Sequence, residues 1–212
     1  MSIIHRTTLS PSKYELLAAW LPQQNWFAGD ASRLEPIGAY RFDDPEGEVG
    51  IEGHLFTAGD RTVYHVPLTY RSAVLEGGEE FVVGAMQHGV LGTRYALDAV
   101  GDPVARAVFA GAMLRGDAGS REFTQDADGT STEREPSVRV RGTGGDAQAI
   151  SPELAAVHVA QEGSATVAET EFALLAINRI VSVDAGADPE GTHSLRGSWD
   201  GVSGALLASI RV

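Results

Sequence analysis

Val49-Gly50-Ile51-Glu52-Gly53-His54-Leu55-Phe56-Thr57 alternates apolar Val49, Ile51 and Leu55 with Gly50, Glu52 and His54. That is the period-two pattern of a strand with one face on a core and the other in water. Similar strand-like stretches flank it at residues 34–42 and 61–69, and the polar turns Asp43-Asp44-Pro45-Glu46-Gly47-Glu48 and Ala58-Gly59-Asp60 separate the three. A fourth strand is expected over 80–87. On the N-terminal side, Tyr14, Leu17, Ala18 and Leu21 recur at helical spacing, with Leu16 and Trp20 widening the stripe. A helix over 10–21 follows, with Ser10 as its cap, Pro11 at its first position and Pro22 ending it. A second helix is expected from the cap Asp102 through Pro103 to Arg115, its buried stripe made by Val104, Val108, Phe109, Ala112 and Met113. Helices on an antiparallel sheet define an α+β layer.

Residues 116–136 change character, being polar and acidic with almost no apolar anchor, which is a linker composition. Beyond them, 137–141, 165–170, 172–183, 192–199 and 204–212 read as strands, and Trp199-Asp200-Gly201 marks the turn between the last two. Residues 151–161 mix helical and strand signals and are left unassigned. The expected organisation is therefore an α+β domain over 1–116, an acidic linker over 117–136 and a β-rich, mostly antiparallel subdomain over 137–212.

The chain has 212 residues, 43% of them hydrophobic, enough for a sizeable core. Its formal charge of −13 is spread out: basic and acidic residues number 9 and 14 over 1–116, 2 and 6 over 117–136, and 5 and 9 over 137–212. With no basic segment, nucleic acid and anionic membrane surfaces are not expected as partners. The first residues lack the apolar core of a signal peptide and no apolar run is long enough to span a bilayer, so a cytoplasmic location is expected. The absence of cysteine excludes disulfides and thiolate metal sites.

Three blocks carry a resemblance. They are Leu16-Leu17-Ala18-Ala19-Trp20-Leu21-Pro22 with Trp26-Phe27-Ala28-Gly29; Val63-Tyr64-His65-Val66-Pro67-Leu68-Thr69-Tyr70-Arg71; and Leu91-Gly92-Thr93-Arg94 running to Leu97-Asp98-Ala99 and Asp102-Pro103. In this order they resemble the N-terminal cap domain of actinobacterial maltokinases and related glucosamine kinases, over roughly residues 9–115. The resemblance implies a curved antiparallel sheet packed on helix, cystatin-like in type. In that family the cap precedes a kinase-like N lobe and a larger C lobe with the catalytic carboxylates. The cap leans on the kinase lobe and contributes to assembly with partner enzymes. The chain ends before such a C lobe, so a stand-alone module is expected.

Kinase chemistry needs parts the sequence does not supply. A kinase fold holds ATP phosphates with a strand lysine paired to a helix glutamate, and the single lysine, Lys13, sits at a helix start. The Asp-x-x-x-x-Asn catalytic loop is also missing, because Trp20 and Ala173 stand where the aspartate would precede the only two asparagines, Asn25 and Asn178. There is no Asp-Phe-Gly, no Walker loop and no Gly-x-Ser-x-Gly.

Gly142-Thr143-Gly144-Gly145-Asp146-Ala147 follows the basic strand Val138-Arg139-Val140-Arg141 and is one residue short of a phosphate-cradling pattern; a strand-end turn is the better reading. The six histidines have no zinc-site spacing, and His54 and His65 are expected to pack across neighbouring strands. Asp126-Ala127-Asp128-Gly129 begins like a calcium loop but meets Ser131 and Ser137 where glycine and glutamate are needed. No catalytic residue, cofactor or metal site is assigned. Trp26, Phe27, Tyr70 and Arg71 are the candidate interaction residues, of types that dominate interface hot spots, with Tyr70 and Arg71 expected at a sheet edge. The function expected from the resemblance is a non-catalytic binding or regulatory module near trehalose, maltose and α-glucan metabolism. A truncated kinase-like protein completed by another chain for ATP binding or sugar phosphorylation, and a self-associating homodimer, are the alternatives.

Overall fold

The computed structural model describes residues 2–5, 8–125, 131–149, 152, 154, 155 and 157–212, with only the backbone described at 2–5 and 125. The chain runs β1 (Ser2–His5), β2 (Leu9–Ser10), α1 (Lys13–Trp20), β3 (Leu34–Asp43), β4 (Gly50–Ala58), β5 (Tyr64–Arg71), β6 (Val82–His88), β7 (Gly92–Asp98) and α2 (Pro103–Arg115). It continues through β8 (Glu122–Gln125), β9 (Ser131–Arg134), β10 (Arg139–Gly142), β11 (His158–Glu162), β12 (Ala165–Glu169), β13 (Leu174–Ser182), β14 (Thr192–Trp199) and β15 (Val202–Arg211). The architecture is mostly antiparallel β with two short helices. The pair β1–β8 is parallel.

Helix α1 is shorter than the periodicity suggests, and its start is set by a different serine. Ser12 accepts from the Glu15 amide at 3.2 Å while the Glu15 carboxylate accepts from the Ser12 amide at 2.7 Å, a reciprocal capping box that replaces the expected Ser10 cap. The helix buries Leu16, Leu17 and Trp20, and Pro22 falls in a following 3-10 turn over Leu21–Gln23. Helix α2 begins and ends as its sequence dictates. Asp102 Oδ1 accepts from the Val104 amide at 3.0 Å, and Gly116 closes the helix at φ 77°, a left-handed conformation that favours glycine.

One path of hydrogen-bonded strands runs β10-β14-β15-β13-β5-β7-β6-β2, with β4 and β3 branching from β5, and β12 and β11 from β13. Strands β5 and β13 meet through the pair Tyr64 and Ile180, reinforced by a bond from the Val181 amide to the Val63 carbonyl at 2.9 Å. The β10 end of the path comes back to β3. The Gly119 amide donates to Val140 O at 3.1 Å, Ser120 to Arg41 O at 2.8 Å and Val138 to Ala39 O at 3.2 Å. The stems of the β8–β9 hairpin thus stitch β10 to β3, and the sheet wraps round a common core. Residues 117–136, acidic enough to read as linker, take part in this closure; residues 126–130 lie outside the described residues.

That core joins both halves of the sequence: Tyr40, Phe42, Ile51 and Leu55 share one cluster with Phe109 and Met113 of α2 and with Ile177, Leu195, Leu207 and Ile210. A second cluster covers the opposite face of β4 and β5, where Leu17, Trp20 and Trp26 pack on Phe56, Tyr64, Val66 and Leu68. Strand β4 is therefore covered on both faces, which corrects the expectation of one face in water. Glu52 and His54 are only 7% and 2% exposed because α1 lies over them. Strands β7 and β11 were not legible as strands, and β11 falls in the stretch whose signals conflict.

Candidate functional site

The register of β4 against β5 pairs His54 with Val66 and Leu55 with His65, so the two histidines lie on opposite faces and do not pack on each other. Each anchors a separate polar inclusion. Under α1, the Lys13 ammonium meets Glu52 Oε2 and lies 5.1 Å from the centre of the Tyr70 ring. Arg41 Nη2 stands 3.3 Å from Glu52 Oε1, and His54 Nε2 is 3.0 Å from the Tyr70 hydroxyl. Burial pushes the Glu52 carboxyl up, but the charges of Lys13, His54 and Arg41 oppose it and hold the group down at about 2. Burial pulls His54 down to about 4 against the pull of Glu52, so its ring is neutral at pH 7. The single lysine of the chain is thus held by a buried strand glutamate.

On the inner face, His65 Nε2 is 2.9 Å from the Tyr40 hydroxyl and Nδ1 is 3.1 Å from the Asn178 carbonyl. Burial, reinforced by Arg179, lowers His65 to about 3. Arg179 itself is fully buried. Its Nη2 donates to Asp98 Oδ2 at 2.6 Å, its Nε donates to Thr166 Oγ1 at 2.8 Å, and its guanidinium lies 5.4 Å from the centre of the Trp26 ring. Period-two alternation along β13, Leu175, Ile177, Arg179, Val181, already places this arginine on an inward face; its charge draws attention away from that signal.

The candidate interaction residues fall into two places. Trp26 is 7% exposed, with Trp20 at 6.0 Å and Phe27 edge-on at 6.2 Å. Phe27 is half-buried against Tyr64 at 4.9 Å. At the other end of β5, Tyr70 pairs with Gly50 on one side and Ala96 on the other, so β5 is an interior strand and the expected sheet edge is not there. Arg71 forms a two-pronged bond to the α2 cap, with Nε 2.7 Å from Asp102 Oδ2 and Nη2 2.8 Å from Oδ1. Burial pushes Asp102 up, and Arg71 with the capped amide overcomes this and keeps it below the ordinary carboxylate range.

The glycine-rich turn after β10 docks on the wrong end of a helix for phosphate. The Gly144 amide donates to Met113 O at 2.9 Å. A Cβ at Gly142 or Gly144 would come within 2.0 Å of the Ala112 or Leu114 carbonyl. These glycines admit close packing on the carbonyl terminus of α2, the negative pole that repels anions. Among the described residues no three His, Asp or Glu side chains come together to hold a metal, and no helix is long and apolar enough to cross a membrane.

Fold and polar clusters together define an α+β module whose best-placed charged side chains clamp its own strands and helix ends. Residues 20–102 of this module match the family model of the maltokinase N-terminal cap domain. The match takes in β3 to β7 and the Asp102 cap, and so establishes the resemblance carried by the sequence blocks for this part of the chain. No curated protein matches the chain.

Proposed function

We propose that residues 20–102 form a cystatin-like, non-catalytic cap that serves as a docking or regulatory module for a protein of trehalose, maltose or α-glucan metabolism. The observation that carries this reading is the match of residues 20–102 to the maltokinase cap. The pathway comes from that likeness alone. Docking is assigned to the apolar side chains left in water on the matched segment, Val74, Val90 and Leu91, exposed by 43%, 61% and 45%. Phe27, half-buried against Tyr64, adds part of its ring. Tyr70 and Arg71 act beneath the surface, because the Arg71 clamp on Asp102 fixes the start of the loop that carries Val74. A soluble partner is assigned, with no nucleic acid and no membrane, in the cytoplasm.

The test is crosslinking and capture of the protein at native abundance from its own cells, followed by mass spectrometry. An enzyme of trehalose, maltose or α-glucan metabolism in stoichiometric amount, lost with the pair Val90→Asp and Leu91→Asp, is the expected result. Recovery of the chain alone, as monomer or homodimer, overturns the docking role.

A further inference from the structure

Arg141 of β10 stands directly opposite Arg196 of β14 in the antiparallel ladder, and Arg139 opposite Ser198. Like charges so placed destabilise a sheet. The same face lines a half-open cavity of about 440 Å³ to which Arg41 of β3 and Arg121 and Arg134, at the stems of the β8–β9 hairpin, also contribute. Six of the fifteen arginines thus surround one cavity, in a chain where acidic residues outnumber basic ones 29 to 16.

Arg196 spends both terminal nitrogens on the Ala185, Gly186 and Gly204 carbonyls and on Asp188, so it frames the cavity and the open donors belong to β10. Arg41, Arg134 and Arg196 are paired with Glu52, Glu122 and Asp188, carboxylates that do not line the cavity. These three guanidiniums are therefore anchored from outside it. Arg121 and Arg139 pair with the lining residues Glu133 and Glu135, but all four are half-exposed or more, and such pairs exchange readily with a competing anion. Arg141 donates Nη1 to the Gly116 carbonyl at 2.9 Å and has no carboxylate partner among the described residues.

We propose that this cavity binds a small phosphorylated molecule, its phosphoryl group held between Arg139 and Arg141 of β10. Guanidinium forks match the oxygens of a phosphoryl group, and an anion bound beside Arg141 offsets its repulsion from Arg196. The volume lies in the range of small-ligand sites, about 300–1,000 Å³. Size class follows from charge. A polyanion would meet the overall charge of −13, whereas a small anion meets the local field within a screening length of about 8 Å. The site is separate from the docking surface, so its failure leaves the cap reading untouched.

The test uses the full chain and pyrophosphate as probe, with sodium chloride at matched ionic strength and citrate as controls. Titration calorimetry should give a saturable isotherm near one per chain. Pyrophosphate at about ten times its Kd should raise the melting temperature by about 3 °C. The double variant Arg139→Ala and Arg141→Ala changes exposed side chains and should keep the unliganded melting temperature within about 1 °C. Its affinity for pyrophosphate should fall at least about tenfold, the loss expected for removing charge-assisted bonds. No saturable binding, an equal shift with chloride, equal binding of citrate, or unaltered affinity in the double variant would each overturn the proposal.

Discussion

The two faces of β4 were built by different rules. Its outer face, under α1, mixes aromatic rings with a charged inclusion of Lys13, Glu52 and Arg41, while its inner face meets a core that is mainly aliphatic and extends into the second half of the chain. The contrast shows where specificity and bulk stability reside. An ion pair buried beside aromatics fixes one register of helix on sheet, since each charge must find its partner. The aliphatic part of the inner face supplies area, and it is the polar inclusion of His65, Tyr40 and Arg179 that constrains register there.

The largest expected effect comes from cutting the link between these regions. Asp98→Asn leaves the fully buried Arg179 without its counter-charge and should cost about 3–5 kcal/mol in urea unfolding. Because the core cluster spans 117–136 in sequence, one cooperative transition is expected; two transitions, with only one of them shifted, would make the two halves separate folding units. Arg71→Ala comes next. It strands the buried Asp102 carboxylate at the start of α2 while its own side chain is partly in water, and about 2 kcal/mol should be lost.

Acid should separate the two faces. His54 and His65 have folded-state values lowered to about 4 and about 3, so between pH 6.5 and those values the unfolded chain binds protons that the folded chain refuses. Stability is full above pH 6.5 and falls as the pH drops, by about 2 kcal/mol per histidine at pH 5. Glu52, held at about 2, adds a further loss as the pH falls below its unfolded value of 4.5. His65→Gln should remove the inner-face share of the slope between pH 6.5 and 5, read from urea midpoints. An unchanged slope would mean that His65 titrates normally. The smallest stability effect is at the helix cap, where Ser12→Ala should cost about 1 kcal/mol and leave the inner-face core intact by near-UV circular dichroism.

Much of the fold was written in local patterns. Asp102-Pro103 and Gly116 delimit α2 because cap and terminator act within one turn of chain. Strands β3 to β6 follow from alternation and turn residues. What covers β4 was not legible, since a period-two pattern with Glu52 and His54 on one face describes water or a polar partner equally well. Only the tertiary placement of Lys13 and Tyr70 decides between them. Composition was a poor guide over 117–136 for a related reason: the closing bonds there use backbone amides of Gly119 and Ser120, which any sequence could supply. Of the four candidate contact residues, residue type pointed to Trp26 and Arg71, yet the same large, hydrogen-bonding side chains also serve as core fillers and clamps.

Coverage of β4 on both sides has a consequence for exchange with solvent. A strand paired on both edges and covered on both faces gives up its amide hydrogens only when the wrapped sheet opens, so the deuterium uptake of residues 51–56 serves as a clock for the opening of the whole molecule.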